Sequence, residues 1–226
     1  MKRIFTETSN VKNFLSTINK IRDSREDIPR MALVFSEPGL GKTKTAIWYA
    51  TREKGAIYCR CINKISQRHL LEKIVTEAGE IPSYKTHHLF NQIVDQFMSR
   101  PRILLIDEID YLCASGAIEI LRDIHDYTNT PVVLIGMNMA DKKLMRYRHL
   151  YDRLSEGIVK FTPLTSQDIK SVVTQMCEAK LSDDAIDYLV EQTGGKFRSL
   201  ISYMHRAEYI AQLNGLKEVT MKEFKR

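Results

Sequence analysis

The stretch Ser36-Glu37-Pro38-Gly39-Leu40-Gly41-Lys42-Thr43 leaves this chain few folds to choose from. It follows a short apolar run, Met31-Ala32-Leu33-Val34-Phe35, and leads into the helical pattern Lys44-Thr45-Ala46-Ile47-Trp48-Tyr49-Ala50. A buried strand, a glycine-bearing turn and a helix N-terminus, in that order, make a cradle for phosphate. Loop N–H groups and the positive end of the helix dipole face the anion. The expected cradle runs from Ser36 through Lys44, with Lys42 reaching the terminal phosphates and the Thr43 hydroxyl ligating Mg²⁺. Position 36 holds serine where the phosphate-loop pattern has its first glycine; Gly39 and Gly41 still supply the tight curvature.

A second stretch, Arg102-Ile103-Leu104-Leu105-Ile106-Asp107-Glu108, strengthens the reading. Four aliphatic residues in a row suit a strand covered on both faces of a parallel sheet. The carboxylate pair falls at its C-terminal end, where open α/β sheets bind their ligands. Asp107 is expected to hold Mg²⁺, directly or through water, and Glu108 to polarise the attacking water. A helix is expected over 114–128, then another buried strand over 131–136 that ends at Met137-Asn138. Asn138 at that tip would lie beside the terminal phosphate and orient the water. ATP and Mg²⁺ are therefore the expected cofactors.

The remaining pattern predicts an α/β domain followed by helices. Residues 9–22 form an amphipathic helix, with Val11, Phe14, Leu15, Ile18 and Ile21 on one face. Strands are predicted at 55–61 and 158–161, giving five in all, with helices at 66–79 and 86–99 between the second and third. After 161 no strand pattern appears. Helical segments follow at 166–179, 183–193 and 196–213, and the tail 220–226 forms a last turn. Cys59 and Cys61 alternate onto one strand face and are assigned to packing, since their spacing is not that of a zinc site. His87-His88 reads as a surface pair.

The net charge is +6, and its distribution matters more than its size. Residues 161–226 carry nine Lys/Arg against nine Asp/Glu, so the excess lies in 1–160, at twenty-five against nineteen. That favours a polyanion partner for the larger part. No apolar run approaches the length of a membrane span, and the start, Met1-Lys2-Arg3-Ile4-Phe5-Thr6-Glu7, lacks a signal-peptide apolar core. A cytoplasmic protein without a membrane partner is expected.

Taken in order, residues 36–43, residues 103–108, Asn138, an arginine within 146–153 and Gly194-Gly195-Lys196-Phe197-Arg198 resemble the motif series of an AAA+ ATPase. In family terms they look like Walker A, Walker B, sensor 1, arginine finger and sensor 2. The resemblance implies a P-loop AAA+ fold with a parallel five-stranded sheet flanked by helices and a small C-terminal all-helical lid. It implies three parts: a helix and link over 1–30, an α/β ATPase subdomain over 31–162 and a lid over 163–226. An arginine finger acts on a neighbouring subunit's phosphate, so the working form would be a homo-oligomer, a filament or a ring. Arg153 is the first choice for that finger, with Arg146 and Arg148 as substitutes; Arg198 would sense the γ-phosphate in cis.

Within AAA+, the run from Asp107 through Met137 is similar to the transposition ATPases: phage Mu B protein, TnsC and TniB. That similarity implies ATP-dependent assembly on double-stranded DNA and delivery of target DNA to a transposase. Lys64, Arg68, Lys85 and Arg100 are the candidate DNA contacts, made mainly to phosphates. A helicase loader or replication initiator shares much of the pattern and is the alternative. A P-loop metabolite kinase is disfavoured by the helical lid with Arg198 and by Asn138.

Overall fold

The computed structural model describes residues 1–2, 4–25, 27–154 and 157–224, so Lys225 and Arg226 of the predicted tail lie outside the described residues. Five parallel strands form the main sheet: β1 (Met31–Ser36), β2 (Ala56–Arg60), β3 (Ile103–Asp107), β4 (Val132–Met137) and β5 (Ile158–Lys160). Their order is β2-β3-β4-β1-β5. β1 and β3 are buried along their whole length, as the unbroken aliphatic runs require of strands covered on both faces. The register pairs Arg60 with Asp107, Asp107 with Ile135 and Ser36 with Met137, so four strand tips meet at one edge.

Helices α1 (Ser9–Asp23), α2 (Lys42–Ala50), α3 (Gln67–Glu77), α4 (Thr86–Ser99), α5 (Asp110–Ser115), α6 (Glu119–Thr128), α7 (Ala140–Leu144) and α8 (Arg148–Tyr151) connect or flank these strands. The core of the α/β part joins Leu33, Leu104, Ile106 and Leu134 of the sheet to Leu70, Ile74, Leu89, Ile93 and Leu121 of the helices. Cys59 and Cys61 are buried in it, in the packing role assigned to them. The single helix expected over 114–128 is two. Gly116 adopts a left-handed conformation (φ 73°) that ends α5, and the chain restarts as α6. Among the described residues no helix is long and apolar enough to cross a membrane.

The chain divides into two compact units. One comprises residues within 14–37 and 42–160; the other comprises 1–13, 38–41 and the described residues from 161 onward. The division therefore runs through α1 and returns residues 1–13 to the C-terminal unit. Polar pairs account for this within that unit. Asn10 Nδ2 donates to the Thr162 carbonyl (2.8 Å), and the Thr162 N–H donates back to Asn10 Oδ1 (3.0 Å). Asp168 accepts from the Ser9 N–H (2.8 Å) and closes a capping box with Thr165. Burial opposes the charge of Asp168, but the donors from Ser9 and Thr165 outweigh it and hold the carboxyl below its usual range.

The C-terminal unit contains α9 (Ser166–Met176), α10 (Asp183–Thr193), α11 (Phe197–Asn214) and α12 (Met221–Phe224). It is not all-helical. β6 (Lys180–Leu181) pairs in parallel with β7 (Glu218–Val219). Two residues are too few to show an alternating pattern, and the partner lies a helix pair away in the chain, so the expectation of helices alone missed this ladder. Gly195 sits at φ +71°, and a Cβ there would meet Pro163 Cβ at 2.7 Å and the Leu164 backbone at 2.8 Å. Gly195→Ala should destabilise the protein by about 3 kcal/mol, because neither the backbone nor the proline can yield. Gly215→Ala, at φ +63° in open space, should cost only about 1 kcal/mol. Equal urea midpoints for the two variants would contradict the clash.

Candidate nucleotide site

The strand tips carry the chemistry. Lys42 opens α2, and its Nζ donates to the Ser36 carbonyl (3.0 Å), Ser36 Oγ (2.8 Å) and the Glu37 carbonyl (3.2 Å). The serine that replaces the usual glycine is thus an acceptor for the ammonium, and its own hydroxyl donates to the Glu37 carbonyl at 2.8 Å. Burial pushes the Lys42 pKa down, opposed by the carboxylates of Asp107, Glu108, Asp110 and Glu37. Gly39 (φ 87°) and Gly41 (φ 97°) take backbone conformations that other residues rarely adopt, as the tight loop demands.

Asp107, at the tip of β3, is 2% exposed. Its Oδ2 accepts from Thr43 Oγ1 at 2.7 Å and from the Tyr58 hydroxyl at 2.8 Å, while its Oδ1 accepts from the Glu108 N–H at 2.8 Å. Burial and the adjacent Asp107 charge push the Tyr58 pKa far above its ordinary value, so the phenol remains a donor. Glu108 adopts φ +60°, a left-handed conformation that costs a non-glycine residue about 1–2 kcal/mol. Its Oε1 lies 3.4 Å from Arg60 Nη2. Asn138 Nδ2 donates to Glu37 Oε1 at 2.7 Å. Buried Asp110 holds the segment that leads to Asn138: its Oδ2 accepts the Met137 N–H (2.7 Å) and its Oδ1 accepts Lys143 Nζ (2.7 Å).

Thr43 and Asp107 supply hard oxygen donors within one hydrogen bond of each other. Mg²⁺ is commonly held by one or two protein oxygens together with phosphates and water, and this donor set fits it.

The other expected residues are more dispersed. Arg153 is engaged within its own unit: Nε and Nη2 grip the two carboxylate oxygens of Asp126 at 2.6 and 2.5 Å, and Nη1 donates to the His149 carbonyl. Arg146 and Arg148 are exposed, and among the described residues neither has an ion-pair partner. Arg198 is exposed; in the C-terminal unit its N–H donates to the Gly39 carbonyl at 3.0 Å. Of the basic set, Arg68 pairs with Glu72 (2.8 Å), stacks over Tyr84 and donates to the Tyr84 carbonyl, which places it beside Lys85. Lys85 and Arg100 cap opposite ends of α4, about 20 Å apart along the helix, and so do not gather. Lys64 is exposed with φ 59°.

Sequence reasoning passed over Tyr58, Arg60 and Asp110. Tyr58 and Arg60 lie on the strand face opposite Cys59, and only the pairing of β2 with β3 brings them to Asp107 and Glu108.

A five-stranded parallel sheet with a phosphate loop after β1 and a carboxylate pair after β3 defines the class of P-loop nucleotide-binding α/β proteins. The family model described as an AAA domain matches residues 26–144, more than half of the chain. The chain belongs to this family of ATPases. A Staphylococcus aureus protein described as a potential ATP-binding protein is 24% identical, over 96% of this chain and 92% of its own. The replication factor C large subunit of Aeropyrum pernix is 25% identical, over 80% of this chain and 35% of its own. Among solved structures, the ORC1 protein of Aeropyrum pernix in complex with DNA matches with a TM-score of 0.69 at 16% identity, covering 96% of this chain and 64% of that one. That last likeness is one of fold. The chain spans about a third of the replication factor and less than two thirds of the ORC1 protein.

Proposed function

We propose that the chain is a cytoplasmic AAA+ ATPase that assembles on double-stranded DNA as a homo-oligomer, in the manner of a replication initiator or helicase loader. The observation that carries the ATPase reading is the meeting of Lys42, Thr43, Asp107 and Glu108 at one sheet edge. The initiator or loader reading is favoured over the transposition resemblance because replication factor C and a DNA-bound ORC1 protein stand among its relatives in sequence and fold.

In this reading Lys42 exchanges its three loop acceptors for phosphate oxygens, and the N–H groups of the loop through Lys44 bind the rest. Thr43 and Asp107 hold Mg²⁺, which when bound spreads the negative charge that develops on the transferring phosphoryl group. Glu108 takes the proton of the attacking water, and Asn138 orients that water once it is free of Glu37. Arg60, facing the Glu108 carboxylate, keeps it aimed away from the water when the two pair. Arg146 or Arg148, neither with an ion-pair partner among the described residues, is preferred to Arg153 as the finger, since Arg153 would first have to break its two-pronged grip on Asp126. Arg198 senses the γ-phosphate. DNA contacts from the basic excess of residues 1–160 fall on phosphates, giving strong salt dependence and weak sequence preference.

Tyr58 provides a local test. Tyr58→Phe removes one hydrogen bond to the carboxylate that positions Mg²⁺. It should weaken Mg²⁺ affinity of the nucleotide complex about tenfold while leaving metal-free nucleotide affinity unchanged. Unaltered Mg²⁺ titration curves would exclude Asp107 as the metal's anchor.

The assembly itself is tested by electron microscopy with duplex DNA under ATP, ADP and no nucleotide. Finite rings or short spirals formed only with ATP are expected. Continuous ATP-dependent filaments that stimulate a transposase would return the transposition reading, and monomers in every state would overturn both.

A further inference from the structure

We propose that the opposite edge of the main sheet carries a second anion site, which takes a small phosphate-bearing ligand. A recess of about 360 Å³ lies where the strands begin. Arg30 directly precedes β1 and Arg102 directly precedes β3; Arg22 comes from the last turn of α1 and Lys54 from the link between α2 and β2. Four cations therefore line one recess, against the carboxylates of Asp23 and Glu53. Glu53 is already committed, at 3.1 Å from Arg22 Nη2.

Helix ends explain part of this charge. α1 and α6 finish at this edge, and cations complement the negative ends of helices. Arg30 fits that account, because its Nε donates to the Ser24 carbonyl at 3.1 Å just beyond α1. Arg22 is likewise satisfied, by the Tyr49 hydroxyl at 3.2 Å and by Glu53.

Arg102 does not fit it. Its Nη2 lies 3.3 Å from Gln96 Oε1, but its Nε is buried and has no acceptor among the described residues. Lys54 is exposed and, among the described residues, has no ion pair. A buried guanidinium N–H without an acceptor is costly, and native proteins rarely leave one so. A phosphate in the recess would satisfy it once the Arg102 side chain turns toward the ligand, since the planar fork of arginine matches tetrahedral oxyanions better than a carbonyl or amide does. The recess is large enough for a phosphate or pyrophosphate group with part of its carrier.

The probe is pyrophosphate, titrated calorimetrically into Lys42→Ala protein so that the phosphate loop at the other edge contributes only weakly. The arginine Nε–H resonances are followed by NMR in parallel. Saturable one-site binding that shifts the Arg102 resonance is expected. Arg102→Gln and, separately, Lys54→Gln should each weaken it about tenfold. Lys54 is exposed, so the Lys54→Gln protein should melt as its parent does and serves as the control for folding. Lack of binding up to about 10 mM, or binding indifferent to both substitutions, would overturn the site. Displacement of pyrophosphate by duplex DNA at equal phosphate concentration would also overturn it, by making the DNA backbone the occupant.

Discussion

Replacing Lys42 by alanine is expected to lower ATP affinity by at least about a hundredfold while leaving the protein folded. The ammonium is half-buried, and its charge is sustained by four surrounding carboxylates against the penalty of desolvation. It is held by three acceptors of its own loop, all within 3.2 Å. Those neutral or weakly polar partners are replaced by phosphate oxygens, and charge-assisted hydrogen bonds are roughly twice as strong as neutral ones. The loss on substitution therefore falls on the bound state. The free protein forfeits about 1 kcal/mol at most, because Ser36 retains its hydroxyl bond to the Glu37 carbonyl. Titration with a fluorescent nucleotide, alongside a melting curve, separates the two effects. An unchanged dissociation constant would remove the phosphate site from this loop.

Glu108→Gln should do the reverse. ATP binding and nucleotide-dependent assembly should persist, while turnover falls by about 10²–10⁴-fold, the range contributed by a positioned general base. Glutamine matches glutamate in shape and keeps an oxygen for Arg60, but it cannot take a proton. The left-handed backbone at Glu108 makes the position specific. It turns the side chain out of the strand direction just after the buried Asp107, so that the two acids serve different partners: Thr43 and Tyr58 for Asp107, Arg60 for Glu108. Strain of this kind at a strand tip persists only where surrounding contacts enforce it. Single-turnover phosphate release provides the measurement, and a rate equal to that of the unsubstituted protein would assign the base elsewhere.

The sequence was informative wherever chemistry is local. The phosphate loop, the five strands and the carboxylate pair could be placed because each depends on a short run: glycines in a turn, aliphatics in a doubly covered strand, acids at its end. Helix α4 is found at its expected residues for the same reason, its apolar face repeating with the helical period. Residues 26–144, which match the AAA domain, contain all of these signals except the fifth strand, Ile158–Lys160.

What the tertiary structure decided depends on partners distant in the chain. The β6–β7 ladder joins segments separated by two helices, and a pair of residues carries no period to detect. The assignment of residues 1–13 to the C-terminal unit rests on Asn10 with Thr162 and Ser9 with Asp168, hydrogen bonds that composition cannot foretell. Arg153, the first choice for the finger on its place in the sequence, has its guanidinium held by the Asp126 carboxylate. Tyr58 became part of the site only because the register of two parallel strands sets it against Asp107. Sequence alone determined which chemistry this chain carries, since backbone conformation and burial are written in short runs. Which charged side chains are already engaged by neighbours was decided by folding, because occupancy of a charged group is a property of its neighbours in space.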